Sequence, residues 1–230
     1  MVEITTVRIA EELTNDGVTL IVVSIGYPHV LGLEKMTGSR INGFYKHQAA
    51  RLLRHIKKRI LPEAATQHTL ALTKSSSFKP FEISSTFTVS FSSNDILSIY
   101  RDVHIRAGNQ RVTERIGETF CLKSGWFYEL EAFFLPDTNF RKILIKNAAK
   151  SAADQQKSGT HKYFENFAKL IRKNFSRRNF YIANEGLSIF FDQLTIAPRA
   201  EGIPAFTLEF SEEFGPVLPA HTKTSVWKFR

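Results

Sequence analysis

The side chains able to do chemistry are scattered along this chain rather than grouped. Seven histidines, His29, His47, His55, His68, His104, His161 and His221, include no pair at metal-ligand spacing. His47 and His55 share one helical stretch, but no carboxylate stands four residues after either. Glu11–Glu12 and Glu212–Glu213 are adjacent, and neighbours on a strand face opposite ways, so neither pair is an acid–base dyad by local geometry. The single cysteine, Cys121, sits in the strand-like run Glu118–Leu122 and reads as a buried thiol. There is no phosphate-cradling glycine loop, no HExxH pair and no Gly-x-Ser-x-Gly elbow. The expectation is a protein that is not an enzyme and calls for no metal and no cofactor, with a glycan-processing hydrolase as the remotest alternative.

Positive charge is what the chain does concentrate. The formal net charge is +9, made of +7 over residues 38–74, +9 over residues 141–178 and −7 elsewhere. Both basic segments read as helices. Lys57, Lys58 and Arg59 close the first cluster, and Arg172, Lys173, Arg177 and Arg178 the second. Phe167, Phe175 and Phe180 are interleaved with the second, so phosphate contact with base stacking is one reading. The plainer reading is a solvated helix surface, because Lys and Arg are good helix formers. A polyanion or nucleic acid is therefore kept as the alternative partner.

These clusters need elements to carry them. Residues 4–12 and 17–26 read as strands about the turn Asn15-Asp16-Gly17, the second buried on both faces. Ile41, Phe44, Tyr45, Ala49, Leu52, Leu53, Ile56 and Ile60 form a helical stripe, with Ser39 as N-cap. Pro62 kinks that helix or opens a second segment to about Leu72. A meander of antiparallel strands follows, near Phe81–Phe91, Ile96–Ile105 and Arg111–Leu122, with a turn at Ser92-Ser93-Asn94-Asp95. Helices are expected over Asn139–Gln155 and Thr160–Asn174, then short strands near Phe180–Ala183, Leu187–Asp192 and Phe206–Phe210. Gly186 reads as a turn glycine at positive φ. Val226–Phe229 could add an edge strand.

The chain has 230 residues, 43% of them hydrophobic and 20 of them Phe, which excludes a disordered or collagen-like chain. The element order predicts an α+β fold, an antiparallel sheet with helices packed on one side. The expected division is residues 1–95, residues 96–211 and a tail, residues 212–230. No signal peptide or membrane-spanning run is visible, so a soluble, cytoplasmic chain without membrane insertion is expected, or else an extracellular fragment of a longer precursor.

One string is distinctive. Phe180-Tyr181-Ile182-Ala183-Asn184-Glu185-Gly186-Leu187 is followed by Ile196-Ala197-Pro198-Arg199-Ala200-Glu201-Gly202-Ile203-Pro204. This resembles the C-terminal domain of RsiV-like bacterial proteins, with weaker matches at Tyr27-Pro28, Ile41–Tyr45, Leu97–Tyr100 and Glu118–Gly125, in the family's order. The resemblance covers roughly residues 17–211 and implies an α+β pair of subdomains. In the membrane-bound members the pair is extracellular, senses lysozyme and controls proteolysis of an anti-sigma factor. A similar pair accompanies a peptidoglycan deacetylase as a non-catalytic module. The resemblance thus implies a binding or sensing module whose partner is a protein or a cell-wall glycan. A +9 chain repels a basic lysozyme at long range. Where the family has a Gly-Gly-Ala-His-Gly loop, this chain reads Arg106-Ala107-Gly108-Asn109-Gln110, and Arg199 replaces the usual Tyr. The candidate partner-binding residues lie on those two irregular loops: Arg106, Gly108, Asn109 and Gln110, and Pro198, Arg199 and Glu201.

Overall fold

The computed structural model describes residues 2–93, 95–213 and 215–219. Asn94, His221, the end of the expected tail and the strand expected at Val226–Phe229 lie outside the described residues. The order is β1 (Glu3–Asn15), β2 (Val18–Leu31), α1 (Lys35–His55), α2 (Leu61–Thr73), β3 (Phe81–Ser93), β4 (Ile96–Ala107), β5 (Gln110–Cys121), α3 (Phe140–Ser158), α4 (Phe167–Asn174), β6 (Phe180–Ile182), β7 (Gly186–Phe190) and β8 (Ala205–Glu209). This is a mixed α+β fold. One sheet has the order β1-β2-β3-β4-β5 and the other β6-β7-β8. Contacts divide the chain into unit 1, residues 1–87 and 102–113, and unit 2, residues 88–101 and 114–230.

In unit 1, β1 and β2 are an antiparallel hairpin, with Glu3 opposite Leu31 and Asn15 opposite Val18. The next pairing corrects the expected all-antiparallel sheet, because β3 runs parallel to β2, Ile21 opposite Phe81. The reason is the connection. A helical crossover returns the chain to the same end of the sheet, which makes the next strand parallel. Nor is β2 buried on both faces: Leu20, Ile21, Val23 and Ile25 are buried, while Val22 and Ser24 are exposed. The unit 1 core joins these strand residues to Ala49, Ile56, Ile60 and Ala64.

The crossover helix begins at Lys35 with Glu34 at its N-cap, so Ser39 lies inside α1 rather than capping it. A single π turn, Ile56–Ile60, joins α1 to α2. A straight α-helix rotates a four-residue ladder steadily away from the core. The wide turn rotates it back, and Ile56, Ile60 and Ala64 all stay buried. Pro62 follows at the first turn of α2, where its missing N–H is tolerated.

In unit 2, α3 and α4 pack on the core with β6, β7 and β8. Asn139 caps α3, its side-chain oxygen accepting from the Lys142 N–H at 3.1 Å. Helix α4 starts seven residues later than its periodicity predicts, because the preceding N–H groups have other partners. Thr160 donates to the Gln155 carbonyl, Tyr163 to the Gln156 side chain and Phe164 to the Ile196 carbonyl. Gly186 is not a positive-φ turn glycine. Its glycine is required by a close approach, since a Cβ there would sit 2.0 Å from the Leu208 oxygen.

Candidate functional site

On the two loops, Arg106 and Glu201 make internal contacts, while Gly108, Asn109 and Gln110 are exposed. Arg106 Nη1 donates to both Glu82 oxygens at 3.1 Å, across the sheet of unit 1. Gly108, at φ 58°, and Asn109 form the exposed turn that precedes Gln110. Pro198, Arg199 and Glu201 share one short 3-10 turn in unit 2. Glu201 uses both oxygens there: Oε2 meets His161 Nδ1 at 2.8 Å, and Oε1 accepts the Lys162 N–H at 3.0 Å. The His161 hydrogen bond, then the Lys162 N–H, holds this carboxyl below the usual carboxylate range. Tyr163 OH donates to Gln155 at 2.5 Å beside this staple. A carboxylate that orients an imidazole is half of a general-base device. Here it ties the Thr160–Asn166 segment to the turn.

The cationic candidates separate in the same way. Lys57 reaches Glu11 at 2.6 Å, while Lys58 and Arg59 are exposed on the π turn. Arg177 pairs with Glu131, and its guanidinium lies 5.3 Å from the centre of the Phe140 ring. Arg178 and Lys173 are exposed. Arg172 alone of these lines a recess.

That recess lies between α3 and α4 and has a volume of about 620 Å³. Arg141, Ile145 and Ala149 follow one another at four-residue steps, which places them on one line of α3. Lys142 and Lys146 form the adjacent line, about 6 Å apart along the helix. Ala168 and Arg172, one turn apart, supply the wall from α4. Ile145 and Ala149 also rest on the unit 2 core, so the floor is apolar and the rim cationic. Among the described residues, Lys142, Lys146 and Arg172 form no ion pair and no carboxylate lines the recess.

Local physics does not favour this arrangement. The first turn of α3 holds Arg141 and Lys142 and no acidic residue, although cations at a helix N-terminus oppose its dipole. Sequence reasoning missed Arg141, Lys142, Ile145, Lys146, Ala149 and Ala168. The signal was present in that unfavourable first turn and in the two four-residue ladders. What the sequence could not supply was α4 across from them.

The interior of unit 2 treats charge differently. Arg101 Nε and Nη2 donate to the Glu118 carboxylate, the shortest contact being 2.5 Å, with side chains 6% and 4% exposed. Burial pushes the Glu118 carboxyl up, and the Arg101 charge and hydrogen bonds oppose that push. Cys121 is buried too. Among the described residues no group of three His, Cys, Asp or Glu could hold a metal, and no helix is long and apolar enough to cross a membrane.

Fold and site together define an α+β protein whose second unit carries a cationic, apolar-floored trough. Comparisons with known proteins agree at the level of fold. A profile of the family described as "Protein of unknown function (DUF3298)" matches residues 131–211, which include the whole trough and the Phe180–Pro204 string. A crystal structure of a DUF3298 family member from Bacteroides fragilis aligns with a TM-score of 0.66 at 10% identity, covering 90% of each chain. A DUF3298 family protein from Pseudomonas aeruginosa aligns with a TM-score of 0.57 at 14% identity, covering 90% of this chain and 91% of that one. A search of curated proteins finds no match. Similarity at such identities speaks to fold alone.

Proposed function

We propose that this chain is a non-catalytic binding module, and that the α3–α4 trough is its binding face for an anionic partner. One observation carries the reading: rim cations of α3 and α4 stand round one recess with no carboxylate of the described residues among them. Such a field attracts anionic groups, and the recess gives them a defined seat. The resemblance to RsiV-like proteins supports recognition over catalysis, and a sensing role follows if the partner is an external signal.

The test uses fluorescence anisotropy with labelled polyglutamate and polylysine at low and raised salt. Polyglutamate should bind and polylysine should not, with affinity falling as salt rises. The double variant Lys146→Glu/Arg172→Glu should lose about tenfold or more, equal to about 1.4 kcal/mol. The control Lys58→Glu/Arg59→Glu, on the other basic segment, should lose less than about twofold. Equal losses from the two variants would make the effect one of net charge and remove the trough from the account.

A further inference from the structure

We propose that the occupant of the trough is an acidic amphipathic helix of a partner protein; this rests on the reading of the trough as the binding face. The floor decides between classes of anion. Ile145, Ala149 and Ala168 are apolar. A wholly hydrophilic polyanion would engage the rim and leave that floor in water, with no gain from its burial. Among the described residues no aromatic side chain lines the recess, so they offer no platform on which unpaired bases could stack. An acyl chain needs enclosure, and among the described residues this recess is walled by two helices and the Asn139 cap. An amphipathic helix fits both parts. Its apolar stripe, recurring at three- and four-residue steps, seats on the floor, and carboxylates flanking the stripe meet Lys142 and Lys146 on one side and Arg172 on the other. Ala149 and Ala168 permit the close approach of a third helix, because they add little bulk between the axes.

Four labelled probes and one surface test this on the intact chain. The first peptide carries Leu at i, i+3, i+4 and i+7 among Glu residues. The second has the same composition shuffled so that no stripe remains. The third replaces every Glu by Lys. The fourth is polyglutamate, and the surface is a phosphatidylglycerol vesicle. The striped acidic peptide should bind about tenfold tighter than the shuffled peptide or polyglutamate, and should gain helical circular dichroism on binding. The lysine peptide should not bind. Ala168 is an exposed helix position, so Ala168→Leu should fold and fill the floor. It should weaken the striped peptide about tenfold and polyglutamate by a clearly smaller factor. Arg172→Glu should weaken both. Equal binding of striped and shuffled peptides, or no effect of Ala168→Leu, would overturn the amphipathic helix while leaving the anionic reading standing. Vesicle binding without peptide binding would replace the partner helix by a lipid surface. Failure of every anionic probe would overturn both readings.

Discussion

On β4 and β5 of unit 2, Arg101 and Glu118 bury opposite charges against each other. On α3 and α4 of the same unit, Lys142, Lys146 and Arg172 line an open trough that has no carboxylate among the described residues. A buried charge must find its partner within the chain, since desolvation costs several kcal/mol per ion. A surface charge is under no such demand, and it can wait for a partner from outside. On the proposed function, the first pair answers to stability and the second group to binding. That separation is what substitutions can break.

The largest effect belongs to the buried pair. Arg101→Met leaves Glu118 without its guanidinium and should cost about 3–5 kcal/mol in urea unfolding. Burial raises the folded-state pKa of Glu118, so protonation favours the native state. Without Arg101 that preference should strengthen. The deficit relative to the parent should therefore shrink as pH falls toward about 4, the range where ordinary carboxylates titrate. Adding Glu118→Leu should recover most of the loss. A double variant as unstable as the single one would mean that Glu118 supplies something other than charge.

Next in size is the polar pin beside this pair. The Ser98 hydroxyl accepts the Ile182 N–H at 2.9 Å and meets the Thr119 hydroxyl at 2.9 Å, all buried. Ser98→Ala orphans that N–H and should cost about 1–3 kcal/mol by thermal or urea unfolding. Anion binding by the trough should not change. A loss of binding matching the loss of stability would erase the distinction between the two regions.

The Glu201–His161 staple lies between these extremes, a carboxylate with its own partners but on the surface. Glu201 has a folded pKa below its ordinary value. Its contribution to stability is thus present above the unfolded pKa and is lost as pH falls through the folded one. Glu201→Gln should lower stability slightly at neutral pH, and the gap to the parent should close in acid. A gap that persists in acid would assign the effect to packing rather than to the carboxylate.

These contrasts also mark what the sequence makes legible. The stripe Ile41, Tyr45, Ala49 and Ile56 is buried as its spacing predicts, because helix periodicity is a local property. The β1–β2 hairpin follows equally from Asn15-Asp16-Gly17. The parallel β2–β3 pairing was not legible, since it depends on where a crossover returns the chain. Tyr163, Phe164 and Phe167 kept a helical rhythm through a segment whose N–H groups had found partners far along the chain, among them Ile196. The trough was half legible. Its α3 ladders are visible in the sequence, yet Ala168 and Arg172 meet them only through tertiary packing. The loop positions of Glu201 and Arg106 are legible in the sequence, whereas their contacts with His161, Lys162 and Glu82 come only from the fold.

The central claim, that the trough is kept cationic for a partner at some expense of stability, has one direct test. Lys142 stands in the first turn of α3, three residues after the Asn139 cap, where the helix dipole favours an acid. Lys142→Glu should raise stability by about 0.3–1 kcal/mol. The same protein sample should bind the acidic probe several-fold more weakly. Opposite movements of thermal midpoint and affinity are the predicted result. A variant that is stabilised and binds the acidic probe as well as the parent would contradict the account.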